Sequence, residues 1–466
     1  MFANVIQNEK NTIMNMKKIL LIITASVPAL LIGVAATGQP KTWTLQDCID
    51  YAIENNISLR QSRNSYLSGL EDTYQAKAAM LPTVSASSSQ GISNRPFSDT
   101  GSSSVVGSNV YSTSKSTSYS GNYGINAGMT LYNGGSLRTA LKQQQVQNSI
   151  DSLSIQESTN DVIISIVQAY VQCLYASEAV GVSESNAEAA KAELDRAIEM
   201  KNAGELSKVD VAQLESQYAS DLYQVTSSKV NLDNSMLQLK QLLELGISEE
   251  IVLAEPESEE EDILKLLPSK EEVYLNALEA MPEIKRAGLN VDAAELAIRQ
   301  AKTGTLPSIS VNAGMSTTNI SGTGNSIVSQ IEKNFNENIG LNLSIPIFQG
   351  RRSKTAVNKA KIAADNSKLQ QMSIEKTLLK EVENAYLDAV SSQSQYLSAK
   401  EQARYAEQSY EYTSEAFKVG KKNTVELINA QNNLLSARVS LLQAKYNAML
   451  GNALLDIYQG NYRING

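Results

Sequence analysis

The stretch Gly124-Ile-Asn-Ala-Gly-Met-Thr-Leu-Tyr-Asn-Gly-Gly-Ser-Leu-Arg-Thr-Ala-Leu-Lys142 joins a strand pattern to a helix pattern. Its first residues alternate apolar with small or polar side chains, which is typical of a β-strand with one apolar face. Asn133-Gly134-Gly135 interrupts the alternation, and Ser136 then precedes a long run with helical spacing, as a helix N-cap does. The stretch therefore predicts a strand that leads almost directly into a helix.

This construction occurs a second time in the chain. In Gly340-Leu-Asn-Leu-Ser-Ile-Pro-Ile-Phe-Gln-Gly350, alternating residues again lead to a glycine and then to a helical run. Gly124 and Gly340 are 216 positions apart, and Gly204 and Gly420, each a break between two helical runs, have the same separation. We interpret the chain as one architecture that is made twice.

A Leu-Pro pair marks the start of the first strand in each repeat. Leu81-Pro82 and Leu306-Pro307 both precede alternating segments, and the two leucines are 225 positions apart. This separation is 225 rather than 216, so the loop between the strands is nine residues longer in the first repeat. Insertions of this kind are tolerated best in an exposed loop.

The N-terminal residues have the pattern of a secretory signal. Met16-Lys17-Lys18 is basic, residues 19–36 are largely apolar, and small residues follow up to Gly38. This order predicts cleavage near Gly38 and export of the mature protein. The alternative is a membrane anchor, which the shortness of the run disfavours. After this run the sequence predicts no helix that spans a membrane.

These observations divide the sequence into five segments. They are a signal peptide (1–38), a first structural repeat (39–250), an acidic linker (251–270), a second structural repeat (271–460) and a C-terminal tail (461–466). In the first repeat we expect helices at 43–79 (with a second helical segment at 59–80), 136–200 and 208–245, and strands at 83–89 and 119–131. In the second we expect helices at 271–302, 353–417 and 424–455, and strands at 308–315 and 339–347. Residues 90–118 and 317–338 are expected to form polar loops between strands, the first of them flexible.

The helix expected at 208–245 carries an apolar seam with the spacing of a coiled coil. Its members are Leu214, Tyr218, Leu222, Val225, Leu232, Met236, Leu239 and Leu243. Helices this long cannot be covered by a globular core, so we expect them to pack along other helices of similar length.

Composition excludes several classes of function. The chain has 466 residues, a formal net charge of −9 and no histidine, so the commonest general base and the commonest metal ligand are both missing. The excess of acid argues against a nucleic-acid partner. There is no Gly-x-x-x-x-Gly-Lys run and no catalytic constellation, so we expect neither an enzyme nor a bound cofactor or metal. Cys48 and Cys173 are either a disulfide or two buried thiols, and buried thiols are favoured.

The four predicted strands have a length that spans an outer membrane when the strands are tilted, and each has one apolar face. Four strands cannot close a barrel, and an open sheet edge cannot lie in lipid because its N–H and C=O groups would lack partners. Several chains must therefore share one barrel. Two copies would give eight strands with a filled interior, whereas three would give twelve strands and a water-filled lumen.

On these residues the sequence resembles the TolC-like outer membrane efflux protein family over nearly the whole mature chain. The resemblance rests on the two Leu-Pro pairs, on the two strand-to-helix junctions and on the stretch Phe417-Lys-Val-Gly-Lys-Lys-Asn-Thr-Val-Glu-Leu-Ile-Asn-Ala-Gln431. It implies a mixed α and β membrane protein: a homotrimeric channel-tunnel with four strands per protomer in a shared 12-stranded barrel in the outer membrane. Long coiled-coil helices would form an α-barrel in the periplasm. It also implies a periplasmic adaptor and an inner-membrane pump, of the RND or ABC type, as partners.

The resemblance also implies a periplasmic gate. The acids of the family's aperture fall on Glu426 and Asn429, the tip acid of the first repeat falls on Asp210, and Phe417 and Lys422 stand where a tyrosine and an arginine are common. Asn429 removes one ring of carboxylates, and Phe417 has no hydroxyl to donate, so the family's gate bonds cannot all form here. Asp210 and Glu426 are then either a charged ring that favours cations or helix N-terminal acids that the helix dipole stabilises.

The turns at Gly204 and Gly420 would contact the adaptor, or are simply glycines that end helices. The expected function is a passive conduit for drugs or other small molecules that a pump delivers. Secretion of polypeptides with a type I system is one alternative. A periplasmic coiled-coil scaffold without lipid-facing strands is an alternative from another class.

Overall fold

The computed structural model describes residues 42–94, 103–106, 109–112, 117–254, 263–322 and 325–461. The predicted signal peptide (1–38), residues 255–262 of the predicted linker and residues 462–466 of the predicted tail lie outside the described residues. Almost all described residues belong to one compact unit, Trp43–Glu249 with Leu253–Gly466. The other unit, Met1–Thr42 with Glu250–Val252, is described only at Thr42 and at Glu250–Val252.

The first half of the chain contains two short helices, a strand pair and a long helical hairpin. The elements are β1 (Thr42–Trp43), α1 (Leu45–Asn55), α2 (Ile57–Ala78), β2 (Thr83–Asn94), β3 (Ser103–Val106), β4 (Asn109–Ser112), β5 (Thr117–Asn133), α3 (Ser136–Ala203), α4 (Lys208–Leu242) and β6 (Val252–Leu253).

The second half also has two helices, a strand pair and a long helical hairpin in this order, with a short helix between its strands where the first half has β3 and β4. Its elements are α5 (Lys270–Ala280), α6 (Pro282–Thr303), β7 (Ser308–Ile320), α7 (Ile327–Lys333), β8 (Asn336–Ser344), α8 (Arg352–Lys418) and α9 (Thr424–Tyr458). The expected corner at Pro282 is present, because this proline is the first residue of α6.

The helix expected at 43–79 is two helices, α1 and α2. Asn56 separates them, and its side-chain oxygen accepts hydrogen bonds from the backbone N–H groups of Ser58 (2.9 Å) and Leu59 (3.3 Å). An asparagine that caps a helix in this way favours a chain break over a continuous helix. The apolar periodicity ran through the break and concealed it.

The strands are longer than expected, and the expected loops contain structure. β2 continues to Asn94, β5 runs from Thr117 to Asn133, and β7 runs to Ile320. The first expected loop, 90–118, also contains the paired strands β3 and β4. The second, 317–338, contains α7, whose Gln330 is buried and bonds both the N–H (2.9 Å) and the C=O (3.0 Å) of Ile320 at the end of β7. β8, by contrast, ends at Ser344, before Pro346.

Four strands form one antiparallel sheet in the order β2-β5-β7-β8. Thr83 lies opposite Gly128, Asn126 opposite Gly314, and Ser308 opposite Ser344. The central pair β5–β7 joins the two halves of the chain. β2 and β8 are the edges of the sheet.

The long helices pack as two hairpins, α3 with α4 and α8 with α9. Helices α3 and α8 have 68 and 67 residues, which corresponds to about 100 Å each. Their buried positions are rich in alanine, and Gly451 lies so close to α8 that an added Cβ would be 3.0 Å from the Cα of Ala389. Small residues at these positions let the helix axes approach closely.

The predicted seam on α4 is partly wrong. Leu214, Leu239 and Leu243 are buried as expected, but Leu222 is 45% exposed. The intervening heptad positions are polar instead: Asp221, Ser228 and Ser235 are all buried. The continuous seam is thus Leu214, Tyr218, Asp221, Val225, Ser228, Leu232, Ser235 and Leu239, which alternates steps of four and three residues.

Among the described residues one helix, α3, is long and apolar enough to cross a membrane by length and composition alone. Its apolar middle lies within the helix packing, where Ile166, Val167 and Cys173 are fully buried. Cys48 and Cys173 are both buried and are not joined by a disulfide, as favoured from the sequence, and burial raises the pKa of the Cys173 thiol to about 12.

Candidate functional site

The four-stranded sheet has one apolar and one polar face. The pairing places apolar residues of all four strands on one side, and these are Val84, Ala86, Ile125, Ala127, Met129, Ile309, Val311, Ala313, Met315, Ile339, Leu341 and Leu343. Glu337, near the start of β8, is on this side as well. The opposite side presents serine, threonine, asparagine and glycine, with Ile320 at the end of β7. Within the described length of these strands the polar face carries no charged side chain. One face thus suits lipid and the other suits water.

The two edges of the sheet lack partners within the described chain. β2 pairs only with β5, and β8 pairs only with β7. Ile339 and Leu341 of β8 are 81% and 69% exposed, and Val84 and Ile92 of β2 are each 69% exposed. Unpaired N–H and C=O groups beside an apolar face cannot remain in hydrocarbon, so the sheet of one chain is incomplete.

The tip of the first helical hairpin lies between α3 and α4. Gly204 ends α3 with a φ of 82°, and the N–H of Glu205 donates to the C=O of Met200 (2.9 Å), which is a glycine-ended helix terminus. Ser207 then caps α4 and donates its hydroxyl to Asp210 (2.6 Å). The helix-ending role of Gly204 therefore accounts for its conformation.

Asp210 connects this tip to the second hairpin. The hydroxyl of Thr424, at the start of α9, donates to Asp210 Oδ1 (3.0 Å), and Thr424 is almost fully buried. The hydroxyl of Ser207 lowers the pKa of Asp210 below its ordinary value, and Thr424 adds to this effect. The carboxylate is thus charged and already holds two hydroxyl donors.

The tip of the second hairpin has the same design. Gly420 has a φ of 71°, and the N–H of Lys421 donates to the C=O of Ala416 (2.9 Å). Asn423 and Glu426 form a capping box: Glu426 N–H donates to Asn423 Oδ1 (2.9 Å), and Asn423 N–H donates to Glu426 Oε2 (3.1 Å). Lys422 forms an ion pair with the Glu426 carboxylate, and its ammonium, followed by the Asn423 backbone, lowers the pKa of Glu426.

The remaining two predicted gate residues lie apart from these contacts. Phe417 is 1% exposed and packs with Leu194, Ala197, Val211, Leu214 and Leu427. Asn429 is exposed. The structure therefore joins Asp210 to the second hairpin through Thr424 and joins Glu426 to Lys422, but it places Phe417 in an apolar core.

Sequence reasoning missed a buried polar layer between the hairpins. Asp221 of α4 is 4% exposed and accepts hydrogen bonds from Gln217 (3.0 Å) and from Gln431 of α9 (3.3 Å). Gln431 also donates to the C=O of Asn186 on α3 (3.3 Å). Burial raises the pKa of Asp221, although bonds from Gln217 and Asn186 act in the opposite direction.

A second buried carboxylate belongs to the same region. Glu193 of α3 is 6% exposed and accepts a hydrogen bond from the hydroxyl of Ser414 on α8 (2.8 Å). The heptad spacing of Leu214, Asp221 and Ser228 could have indicated which face of α4 is buried. The partners on α8 and α9 could not be found this way, since they lie about two hundred residues away in sequence.

Comparison with known proteins agrees with this arrangement. A family model described as outer membrane efflux protein matches residues 48–244 and 273–458, which is most of the chain. The chain belongs to the outer membrane efflux protein family. This is the family that the two junctions and the second hairpin tip suggested.

Individual relatives are distant but extend over nearly the full length. The outer membrane protein TolC of Escherichia coli strain K12 is 25% identical over 434 residues, which cover 90% of this chain and 83% of TolC. The structure of the CmeC outer membrane channel of Campylobacter jejuni matches with a TM-score of 0.74 at 20% identity, covering 94% of this chain and 92% of that one. The transmembrane channel CusC also gives a TM-score of 0.74, at 17% identity, covering 93% and 98%.

Family membership confirms several predictions. The chain is an outer membrane efflux channel of the TolC family, with long helices and four antiparallel strands, and the family is not enzymatic. It is located in the outer membrane. Channels of this family are trimeric and work with pump systems.

Proposed function

We propose that three copies of this chain form one conduit through the outer membrane and the periplasm. The observation that supports this most strongly is the four-stranded sheet, with its apolar face, its uncharged polar face and its two unpaired edges. Three copies supply twelve strands, which enclose a lumen wide enough for water. The polar faces then line the lumen, and the apolar faces meet lipid.

The long hairpins continue the conduit from the sheet into the periplasm. In this proposal the tips at Gly204 and Gly420 meet a periplasmic adaptor, which connects them to an inner-membrane pump of the RND or ABC type. The pump supplies the energy and the substrate. The substrates are drugs or other small molecules, with polypeptides of a type I system as the alternative.

Assembly and conduction can be tested on the protein extracted from outer membranes with detergent. Light scattering during size-exclusion chromatography should give three chains per particle, and planar bilayers should show discrete channel openings. A monomeric particle that is soluble without detergent would contradict the proposal. So would a trimer that conducts no ions.

Complementation distinguishes the type I alternative from small-molecule efflux. The chain is expressed in cells that lack their own channel, and both functions are measured. Restored resistance to toxic small molecules, without restored secretion of a reporter polypeptide, is the expected result. Restored secretion alone would favour the alternative.

The acids at the tips act, in our proposal, as a charge filter whose strength Lys422 controls. Glu426 is half exposed and forms an ion pair with Lys422, whereas the side chains that donate hydrogen bonds to the Asp210 carboxylate are the neutral hydroxyls of Ser207 and Thr424. Removal of Lys422 therefore exposes an unpaired carboxylate. Removal of Glu426 exposes an unpaired ammonium.

Two substitutions with opposite signs test this filter. Lys422→Ala should increase the preference of the pore for cations, and Glu426→Ala should decrease it, as measured by reversal potentials in salt gradients across planar bilayers. Equal and unchanged reversal potentials in both variants would exclude a role for this pair. The trimer content of each variant serves as the control for folding.

A further inference from the structure

The structure carries information about how neighbouring subunits pair, although it contains one chain. We infer that β8 of one subunit pairs antiparallel with β2 of the next, with Gly340 directly opposite the partner's Gly91. This inference rests on the proposed trimer and specifies its interface residue by residue. The internal duplication of the sheet supports it.

The duplication can be tested quantitatively on the strand pair inside each repeat. Residues of β2 correspond to residues of β7 that lie 225 positions later, and residues of β5 correspond to residues of β8 that lie 216 positions later. The pair Thr83–Gly128 of the first repeat then corresponds to Ser308–Ser344. This pair is the one that the structure contains, so the two hairpins have the same register.

The contact between the repeats supplies the template for the contact between subunits. β5, the second strand of the first repeat, pairs with β7, the first strand of the second repeat, and Gly124 lies opposite Ser316. In a closed barrel the next such contact joins β8 to β2 of the neighbouring subunit. By the same correspondences Gly340 is equivalent to Gly124, and Gly91 is equivalent to Ser316. The pair Gly124–Ser316 inside one chain thus predicts the pair Gly340–Gly91 between two subunits.

The resulting register aligns the apolar face of β8 with the face of β2 that carries Val84, Ala86 and Ile92. On the apolar face, Ile339 of β8 lies opposite the partner's Ile92, and Leu341 lies opposite the partner's Gln90. On the polar face, Asn338 lies opposite the partner's Ser93. A slip of one residue would place the apolar side chains of β8 beside the polar face of β2, so half of all registers are excluded by this criterion. The inferred register satisfies it.

Cysteine pairs test the register directly in outer membranes. Asn342 of β8 should lie opposite the partner's Ser89, at the spacing of about 4.5–5.5 Å between Cα atoms that a disulfide requires. The test variant is Ser89→Cys with Asn342→Cys in the full-length chain. Two controls move one cysteine along the same face of β2: Ser87→Cys with Asn342→Cys, and Ser93→Cys with Asn342→Cys.

After mild oxidation, non-reducing gels of the test variant should show covalent dimers and trimers at roughly fivefold or more the level of either control, because the diagonal neighbour Ser87 would be about 7–8 Å away and Ser93 farther still. Variants with only one of the two introduced cysteines show whether Cys48 or Cys173 contributes to the crosslinks. Preferential crosslinking of either control pair would overturn the register while leaving the trimer intact. Absence of trimers in the unmodified protein would instead overturn the proposed function.

Discussion

The sheet and the helical hairpins of this chain differ in how they satisfy their polar groups. The sheet has two edges, β2 and β8, that have no strand partner within the described chain. The hairpins satisfy even buried carboxylates internally, as Asp221 does with Gln217 and Gln431, and Glu193 does with Ser414. The sheet therefore needs other chains to complete its hydrogen bonds, whereas these buried contacts of the hairpins are complete within one chain.

This difference means that the two regions should respond differently to substitution. A change in the sheet should affect membrane insertion and trimer formation. A change in the hairpins should affect thermal stability, because the contacts it removes lie within one chain. The following experiments test this separation.

The largest effect is expected from charge on the apolar face of the sheet. Ala313→Lys places an ammonium toward lipid in the central strand β7, at a cost of about 2–4 kcal/mol. Asn312→Lys places the same charge at the neighbouring position, on the polar face of the sheet. Trimers in outer membranes, counted on unheated gels, should be depleted in the first variant and retained in the second. Equal depletion would mean that the polar face does not line water.

A smaller effect is expected where α8 and α9 are in closest contact. Gly451→Val forces atoms against the backbone of Ala389, and overpacking of this kind costs about 1–3 kcal/mol. Circular dichroism should show a lower melting temperature in detergent, with the trimer still formed at low temperature. Gly288→Ala is the matched control, since an added Cβ there meets no atom within 4 Å. A stable Gly451→Val variant would show that the two helices separate easily.

Removal of the hydrogen bond between the two tips should have a moderate effect on stability, and this effect should depend on pH. Thr424→Val removes the hydroxyl that donates to Asp210, at a cost of about 0.5–1.5 kcal/mol. Since Ser207 and Thr424 lower the pKa of Asp210, its stabilising contribution is present above the ordinary carboxyl pKa and is lost as pH falls through the lower folded value.

The variant should lose this contribution at a higher pH than the unmodified protein, in thermal melts taken between about pH 5 and pH 3. Thr226→Val is the control, because the hydroxyl of Thr226 bonds only the Leu222 carbonyl of its own helix. Identical acid profiles for Thr424→Val and the unmodified chain would exclude the link.

An effect of similar size but opposite sign is expected at Asp221, where a substitution should be stabilising. Burial raises the pKa of this carboxyl, so its charged form costs stability at neutral pH, and this cost disappears as pH falls below the unfolded pKa. Asp221→Asn should therefore stabilise the protein at neutral pH by on the order of 1 kcal/mol. The advantage should shrink in melts at acidic pH. A destabilised variant at neutral pH would show that the layer requires the negative charge.

Much of the architecture could be predicted from local pattern. Alternation located the four strands, and the spacing of Gly124 and Gly340 located both strand-to-helix junctions. The strand ends were set too short, because residues such as Ser93 and Asn94 have no apolar alternation and are in the strand only through pairing with β5. The break at Asn56 was missed because a capping side chain interrupts the helix without disturbing its apolar period.

The candidate site was predictable only where its contacts are local. Lys422 and Glu426 lie four residues apart on the two sides of the Asn423 cap, so their ion pair is a local contact. The bond between Asp210 and Thr424 joins residues 214 positions apart, and nothing in either neighbourhood indicates it. The same holds for Asp221 and Gln431, which meet only because two separate hairpins pack together.

The central claim is that the sheet of one chain is completed by other copies of the same chain. Amide hydrogen exchange on the protein extracted from outer membranes tests it most directly, since β2 and β8 are edges in one chain and interior strands in the assembly. The backbone N–H groups of Ile339, Leu341 and Leu343 in β8 lack a partner in one chain. We predict that they exchange as slowly as the N–H groups of β5. Rapid exchange along β2 and β8, together with slow exchange in β5 and β7, would contradict the account.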